Sequence, residues 1–126
     1  MHKDVPLLKS TCGYKYLLPE IKAQICNGAG PAGRWISSLI PNTMYGLDCT
    51  EAFSIHDYDY HVGISWDDKA RADRRLFENL LILINHAGSW LQWLRRRRAL
   101  KYYEAVHHHG AEAFFAELLS EHEKNS

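Results

Sequence analysis

The sequence predicts an all-α domain, and three observations carry that expectation. Apolar residues recur at helical spacing through most of the second half of the chain. Two segments open with pairs that read as capping boxes, Asp48 with Glu51 and Ser65 with Asp68. No segment alternates polar and apolar residues with the period of two that a half-buried strand requires. At 126 residues and 46% apolar composition, the chain is expected to form one domain over 1–126 with a core of its own.

In order, residues 1–16 read as irregular, with Pro6 and Gly13 as punctuation. Pro19 suits the first turn of a short helix carrying Ile21 and Ile25. The run Cys26-Asn-Gly-Ala-Gly-Pro-Ala-Gly33 holds three glycines within six residues and a proline, so it reads as a loop. Residues 34–47 continue as loop, with Pro41-Asn42 and Gly46 as turn signals. A helix is expected from Asp48 to about His61, ended by Gly63. The second capping box starts a helix that runs to about Asn85 and stops at Gly88. A third helix spans about Ser89 to His109, and a last amphipathic one about Ala111 to Glu121.

Bulk properties exclude several classes of function. Fifteen basic residues balance fifteen acidic ones, so the molecule as a whole does not attract polyanions, and no specific nucleic acid is expected. Three cysteines, Cys12, Cys26 and Cys49, are too few and odd for a disulfide framework, and they lack Cys-x-x-Cys spacing. Met1–Ser10 has no apolar run of signal-peptide length, and Leu80–Ile84 is far too short to span a bilayer. The expectation is synthesis in the cytoplasm, with later release or carriage as cargo left open.

Two polar residues fall on apolar faces. Ala52, Phe53, His56 and Tyr60 share one stripe of their helix. Asp73, Leu76, Phe77, Leu80 and Ile84 share one stripe of the next, while Arg71, Arg74, Arg75 and Glu78 reach solvent. An inward carboxylate is costly unless paired, as is an inward imidazole without partners. The economical solution is that His56 and Asp73 meet across antiparallel helices. The carboxylate then fixes the imidazole tautomer and leaves its other nitrogen as a base. Tyr60 can donate to the same carboxylate. A satisfied structural network is the plainer alternative. Asp57 lies about 100° round the helix from His56 and can serve a different site, toward the Gly-rich loop. Loop carbonyls with one carboxylate suit calcium.

These segments resemble the phospholipase A2 family. Cys26-Asn-Gly-Ala-Gly-Pro resembles its calcium loop. Asp48-Cys-Thr-Glu-Ala-Phe-Ser-Ile-His-Asp-Tyr-Asp-Tyr60 resembles its active-site helix, with the His-Asp-x-x-Tyr core. Ala72-Asp-Arg-Arg-Leu-Phe77 resembles its second long helix. The resemblance covers about residues 20–86, with C-terminal helices at about 89–121 lacking a counterpart. It implies a phospholipase A2-like fold of two antiparallel core helices preceded by the calcium loop. It implies His56 as general base, Asp73 as its orienting partner and Tyr60 as the brace of Asp73. It further implies calcium held by Asp57 and the carbonyls of Cys26, Gly28 and Gly30, with the Gly30 amide completing an oxyanion site. The implied reaction is hydrolysis of the sn-2 ester of a glycerophospholipid.

The chain departs from the secreted members in several ways. Ala52 and Phe53 stand where those carry a cysteine pair, and Pro31 stands where glycine is common. The stretch between Gly30 and the helix is longer than usual, and the interval from His56 to Asp73 is too short for their β-hairpin. The short, disulfide-poor bacterial, phage and viral members are the nearer likeness.

Two further segments stand out. Arg95, Arg96, Arg97 and Arg98 share a helix with Trp90, Leu91, Trp93, Leu94 and Leu100. They can meet phospholipid headgroups or form a solvated basic face. A catalytically silent membrane- or partner-binding protein using this helix is therefore the alternative reading. His107, His108 and His109 precede a helix stop, where histidine complements the helix dipole, and they splay too widely to chelate one metal.

Overall fold

The computed structural model describes residues 6–21, 43–109, 111 and 114–115. The elements are α1 (Cys12–Lys15), β1 (Thr43–Met44), β2 (Leu47–Asp48), α2 (Thr50–Val62), α3 (Trp66–Ala87) and α4 (Gln92–His109). The protein is thus mostly helical, as the spacing predicts, with one small hairpin added.

Short connections make consecutive long helices double back on one another. Residues 63–65 join α2 to α3, and residues 88–91 join α3 to α4. α3 is the central helix, packing on both α2 and α4. Lys69, Ala72, Asp73, Leu76, Asn79, Leu80, Leu83 and Ile84 are its buried residues, a stripe at intervals of three and four. Its start follows the second capping box: Ser65 Oγ accepts from Asp68 N at 3.1 Å, and Asp68 Oδ2 accepts from Ile64 N at 2.9 Å. Its end is Gly88, in the left-handed conformation at φ 61°, donating to Ile84 O. α2 is different. Ala52 to Asp57, Asp59 and Tyr60 are all buried, so this helix is enclosed on nearly every side rather than along one stripe.

Three local expectations need correction. The Asp48–Glu51 capping box does not form. Asp48 lies in β2, opposite Thr43, and α2 has Cys49 at its N-cap with no side-chain cap. Strand pairing takes Asp48 out of the capping position; its carboxylate instead accepts from Thr50 N at 2.9 Å and Thr50 Oγ1 at 2.6 Å. Glu51 accepts from Tyr14 Oη. Residues 43–47, expected as loop, form the β1–β2 hairpin together with Asp48, expected as a helix start. Its two-residue turn places Tyr45 at φ 49° and Gly46 at φ 82°, both positive as a type I′ turn requires. Strands of two residues are too short for a periodic signature. The third correction concerns residues 12–15, which form a helical turn because Tyr14 is drawn into the core against Tyr58, with ring centroids 5.7 Å apart.

Residues 19–21 are helical, as are 111, 114 and 115. Phe114 is fully buried and meets the Tyr60 ring edge-on at 5.4 Å. The N-terminal segment is pinned to α3 by Asn79, whose amide exchanges two hydrogen bonds with the Lys9 backbone, at 2.7 and 2.9 Å. The remainder of the expected Pro19 and Ala111 helices, and the stop at Gly110, lie outside the described residues.

Candidate active site

Where α2 faces α3, the structure brings His56, Tyr60 and Asp73 together. His56 Nε2 lies 2.9 Å from Asp73 Oδ1, and Tyr60 Oη donates to that same oxygen at 2.6 Å. All three side chains are completely enclosed. Their placement follows from the stripes: His56 and Tyr60 are one turn apart on α2, and Asp73 looks out from the apolar stripe of α3.

Burial opposes the charge on Asp73, but the hydrogen bond and charge of His56 and the hydrogen bonds of Lys69 and Tyr60 outweigh it. The carboxyl therefore sits below its usual value of 3.8. An ionised carboxylate only accepts, so the proton between the two groups belongs to His56 Nε2. In the neutral imidazole Nδ1 then carries the lone pair. That atom is buried and has no hydrogen-bond partner among the described residues. The Tyr60 phenol is pushed far above its usual range by burial, then by the Asp73 charge and hydrogen bond, so it stays a donor.

The sequence reading missed Lys69. Its ammonium is buried, donates to Asp73 Oδ2 at 2.6 Å, and also reaches the carbonyls of Val106 and His107 at 3.2 and 3.3 Å. Those carbonyls belong to the last described turn of α4. One cation thus satisfies the second oxygen of Asp73 and ties it to α4. The signal was present: Lys69 lies four residues before Asp73 on the same stripe, where a lysine has no apolar reason to be.

A second ion pair, with its acid buried and its base half-buried, also joins α2 to α3. Asp59 Oδ1 accepts from Arg75 Nη1 at 2.8 Å. Burial raises the Asp59 carboxyl, and the Arg75 charge and hydrogen bond, with the His56 charge, pull against that. Arg75, expected in solvent, is drawn back over the helix by this bond, whereas Arg71 and Arg74 are exposed.

For a metal, Asp57 is the described candidate. Its side chain is buried, one position from His56, and a carboxylate is the hard oxygen donor that calcium prefers. Cys26, Gly28 and Gly30, with Pro31, lie outside the described residues. Among the described residues no three His, Cys, Asp or Glu side chains cluster as a metal site, so any such ion would draw on backbone carbonyls. Asp57 fits that donor set.

The four arginines separate into distinct roles. Arg95 is buried and donates to Met44 O at 3.2 Å and Tyr45 O at 2.7 Å, holding the hairpin to α4. It is therefore removed from the headgroup contacts expected of it. Arg96 bonds Asn85 Oδ1 at 2.8 Å, Arg98 bonds Tyr45 Oη at 3.1 Å, and Arg97 is exposed. Tyr102 packs on Phe53, and Tyr103 lies between Phe77 and the His107 ring, which stacks on it at 5.6 Å. Cys12 and Cys49 are free thiols. No helix among the described residues is long and apolar enough to cross a membrane.

No protein-family model, no curated protein and no solved structure matches this chain.

Proposed function

We propose that the protein is a calcium-dependent esterase of phospholipase A2 type, cleaving the sn-2 ester of glycerophospholipids. One observation carries this reading: His56 is held through Nε2 by the Asp73 carboxyl while its Nδ1 is left without a partner among the described residues. The phospholipase A2-like motifs in the sequence supply the reaction class.

In this mechanism His56 Nδ1 takes a proton from a water, whose oxygen bonds to the ester carbonyl carbon. The tetrahedral adduct then breaks its bond to the alkoxide, which receives the proton back from the imidazolium. The products are a fatty acid and a lysophospholipid, and no acyl-enzyme forms. Asp73 keeps the imidazole oriented and offsets its transient charge. Tyr60 and Lys69 hold Asp73 in place, so the carboxylate cannot rotate away from His56. Calcium, if bound, would be held by Asp57 with the carbonyls of Cys26, Gly28 and Gly30 and would supply polarisation of the ester carbonyl, with the Gly30 amide as the donor that the family resemblance implies.

A second reading has its own support. Lys69 neutralises Asp73 within the protein, so His56, Tyr60, Asp73 and Lys69 also make sense as a structural network in a catalytically silent, membrane-binding protein. The two separate in one assay. Fatty-acid release from sn-2-labelled phosphatidylcholine and phosphatidylglycerol is measured with calcium, with chelator, and with His56→Ala. Calcium-dependent release that the substitution abolishes is the expected result. Folded protein that releases nothing from either lipid sinks the esterase.

A further inference from the structure

The outer face of α4 is built the wrong way round for a helix that only packs. Its buried positions include Arg95, Ala99, Tyr102 and Val106, while Trp93 and Leu100 stand in solvent at 56% and 46% exposure. At about 100° per residue, Trp93, Leu100, Arg97 and Lys101 fall within one arc of about 100°, opposite the buried side. Trp90, in the turn before α4, is 80% exposed. Cations and large apolar side chains thus share one outward surface.

Beside that arc the hairpin tip closes a pocket. Tyr45, Leu94, Arg97, Arg98 and Lys101 line a volume of about 180 Å³. Three of the five are cations and none is an acid; exposed Glu104, one turn beyond Lys101, falls on the same outward arc of α4. Arg98 is preset, its guanidinium 5.4 Å over the Tyr45 ring and bonded to the Tyr45 hydroxyl. Tyr45 is itself held in a left-handed conformation that a bulky residue rarely adopts, with its carbonyl fixed by Arg95. Neither Arg97 nor Lys101 has an ion-pair partner among the described residues, although the whole chain carries as many acids as bases.

The geometry points to a binding site for the phosphate of an anionic membrane lipid, with Arg97, Arg98 and Lys101 on the phosphate and Trp93, Leu100 and Trp90 in the interfacial layer. The arginines supply fork-shaped donors for phosphate oxygens. Exposed tryptophan beside them suits the boundary between headgroups and chains. Free phosphate and nucleic-acid backbones offer the same anion but leave the apolar residues unused, which favours a lipid surface. The site does not depend on the esterase reading.

The test is co-sedimentation with vesicles of phosphatidylcholine alone and of phosphatidylcholine with phosphatidylglycerol, at low and high salt. The variant is Arg97→Gln/Arg98→Gln/Lys101→Gln, whose folding is checked by circular dichroism; all three positions are exposed. Expected is salt-sensitive binding to the anionic vesicles only, weakened on the order of 100-fold in the triple variant, since each cation near an anionic surface contributes about fivefold. Trp93→Ala should weaken binding as well. Anionic-vesicle binding untouched by the triple substitution overturns the site. So does full competition by inorganic phosphate without any effect of Trp93→Ala, which marks a free-phosphate site. So does capture of duplex DNA in place of vesicles. Binding without hydrolysis removes the esterase and keeps this site; hydrolysis of dispersed substrate without vesicle binding does the reverse.

Discussion

Between α2 and α3, polar groups lie inside; on the outer face of α4, apolar groups lie outside. The two regions break the usual partition in opposite senses, and they differ in how the exceptions are matched. Inside, Asp73 accepts from His56, Tyr60 and Lys69, and Lys69 goes on to two carbonyls of α4. Outside, Trp90, Trp93, Leu100, Arg97 and Lys101 are left exposed. A buried polar group must be answered within the chain, so each member of the inner network depends on the others. An exposed apolar or cationic group is tolerated unanswered, so its cost or use appears only when something else arrives.

The sharpest way to break the contrast is Lys69→Met. It leaves Asp73 Oδ2 without its ammonium partner and removes the bonds to two α4 carbonyls, and should cost about 3–5 kcal/mol in denaturant unfolding. Adding Asp73→Asn should recover part of that loss, because the negative charge goes with the positive one. If the single and double variants are equally destabilised, the two residues are not coupled.

A smaller effect separates neighbouring arginines. Arg95→Met removes the donors to Met44 and Tyr45 and should cost about 1.5–3 kcal/mol, whereas Arg97→Ala, two residues on, should stay within about 0.5 kcal/mol. Equal losses would mean that the inside–outside division of the run is wrong.

The smallest effect is on pH. The Asp73 carboxyl lies below its unfolded value of 3.8, so its stabilisation is complete above that value and is lost as pH falls through the folded one. One proton contributes a slope of at most about 1.4 kcal/mol per pH unit. Asp59, raised by burial, acts in the opposite direction. The informative quantity is therefore the difference between parent and Asp73→Asn, whose acid slope should be shallower. Parallel acid profiles would show that Asp73 is not held ionised.

These contrasts were unevenly legible in the sequence. The α2–α3 pairing was readable because helical spacing assigns faces, and a histidine and an aspartate on two apolar faces have few ways to be satisfied. The ends of α3 were readable because Ser65, Asp68 and Gly88 act locally. Lys69 was missed because the stripe was begun at Asp73, although one more turn back would have shown it. Arg95 was not separable from Arg96, Arg97 and Arg98, since what draws it inward is a pair of carbonyls on a hairpin about fifty residues earlier in the chain. That hairpin itself has strands too short to carry any pattern. The burial of Asp57 went unread because α2 is enclosed on almost all sides, and stripe arguments assume that one face is wet.

Finally, α4 is fastened at two levels: Arg95 near one end grips the hairpin, and the carbonyls of Val106 and His107 near the other receive Lys69. The fastenings lie about 17 Å apart along the helix axis. That makes α4 a ruler with a fixed phase. Inserting a single residue between them would turn one end by about 100° against the other, so the hairpin and Lys69 could not both stay attached. Removing seven residues would nearly restore the phase but shorten the span by about 10 Å. Length and phase together tie the pocket lined by Arg97, Arg98 and Lys101 to the buried histidine, so neither can be moved along this helix alone.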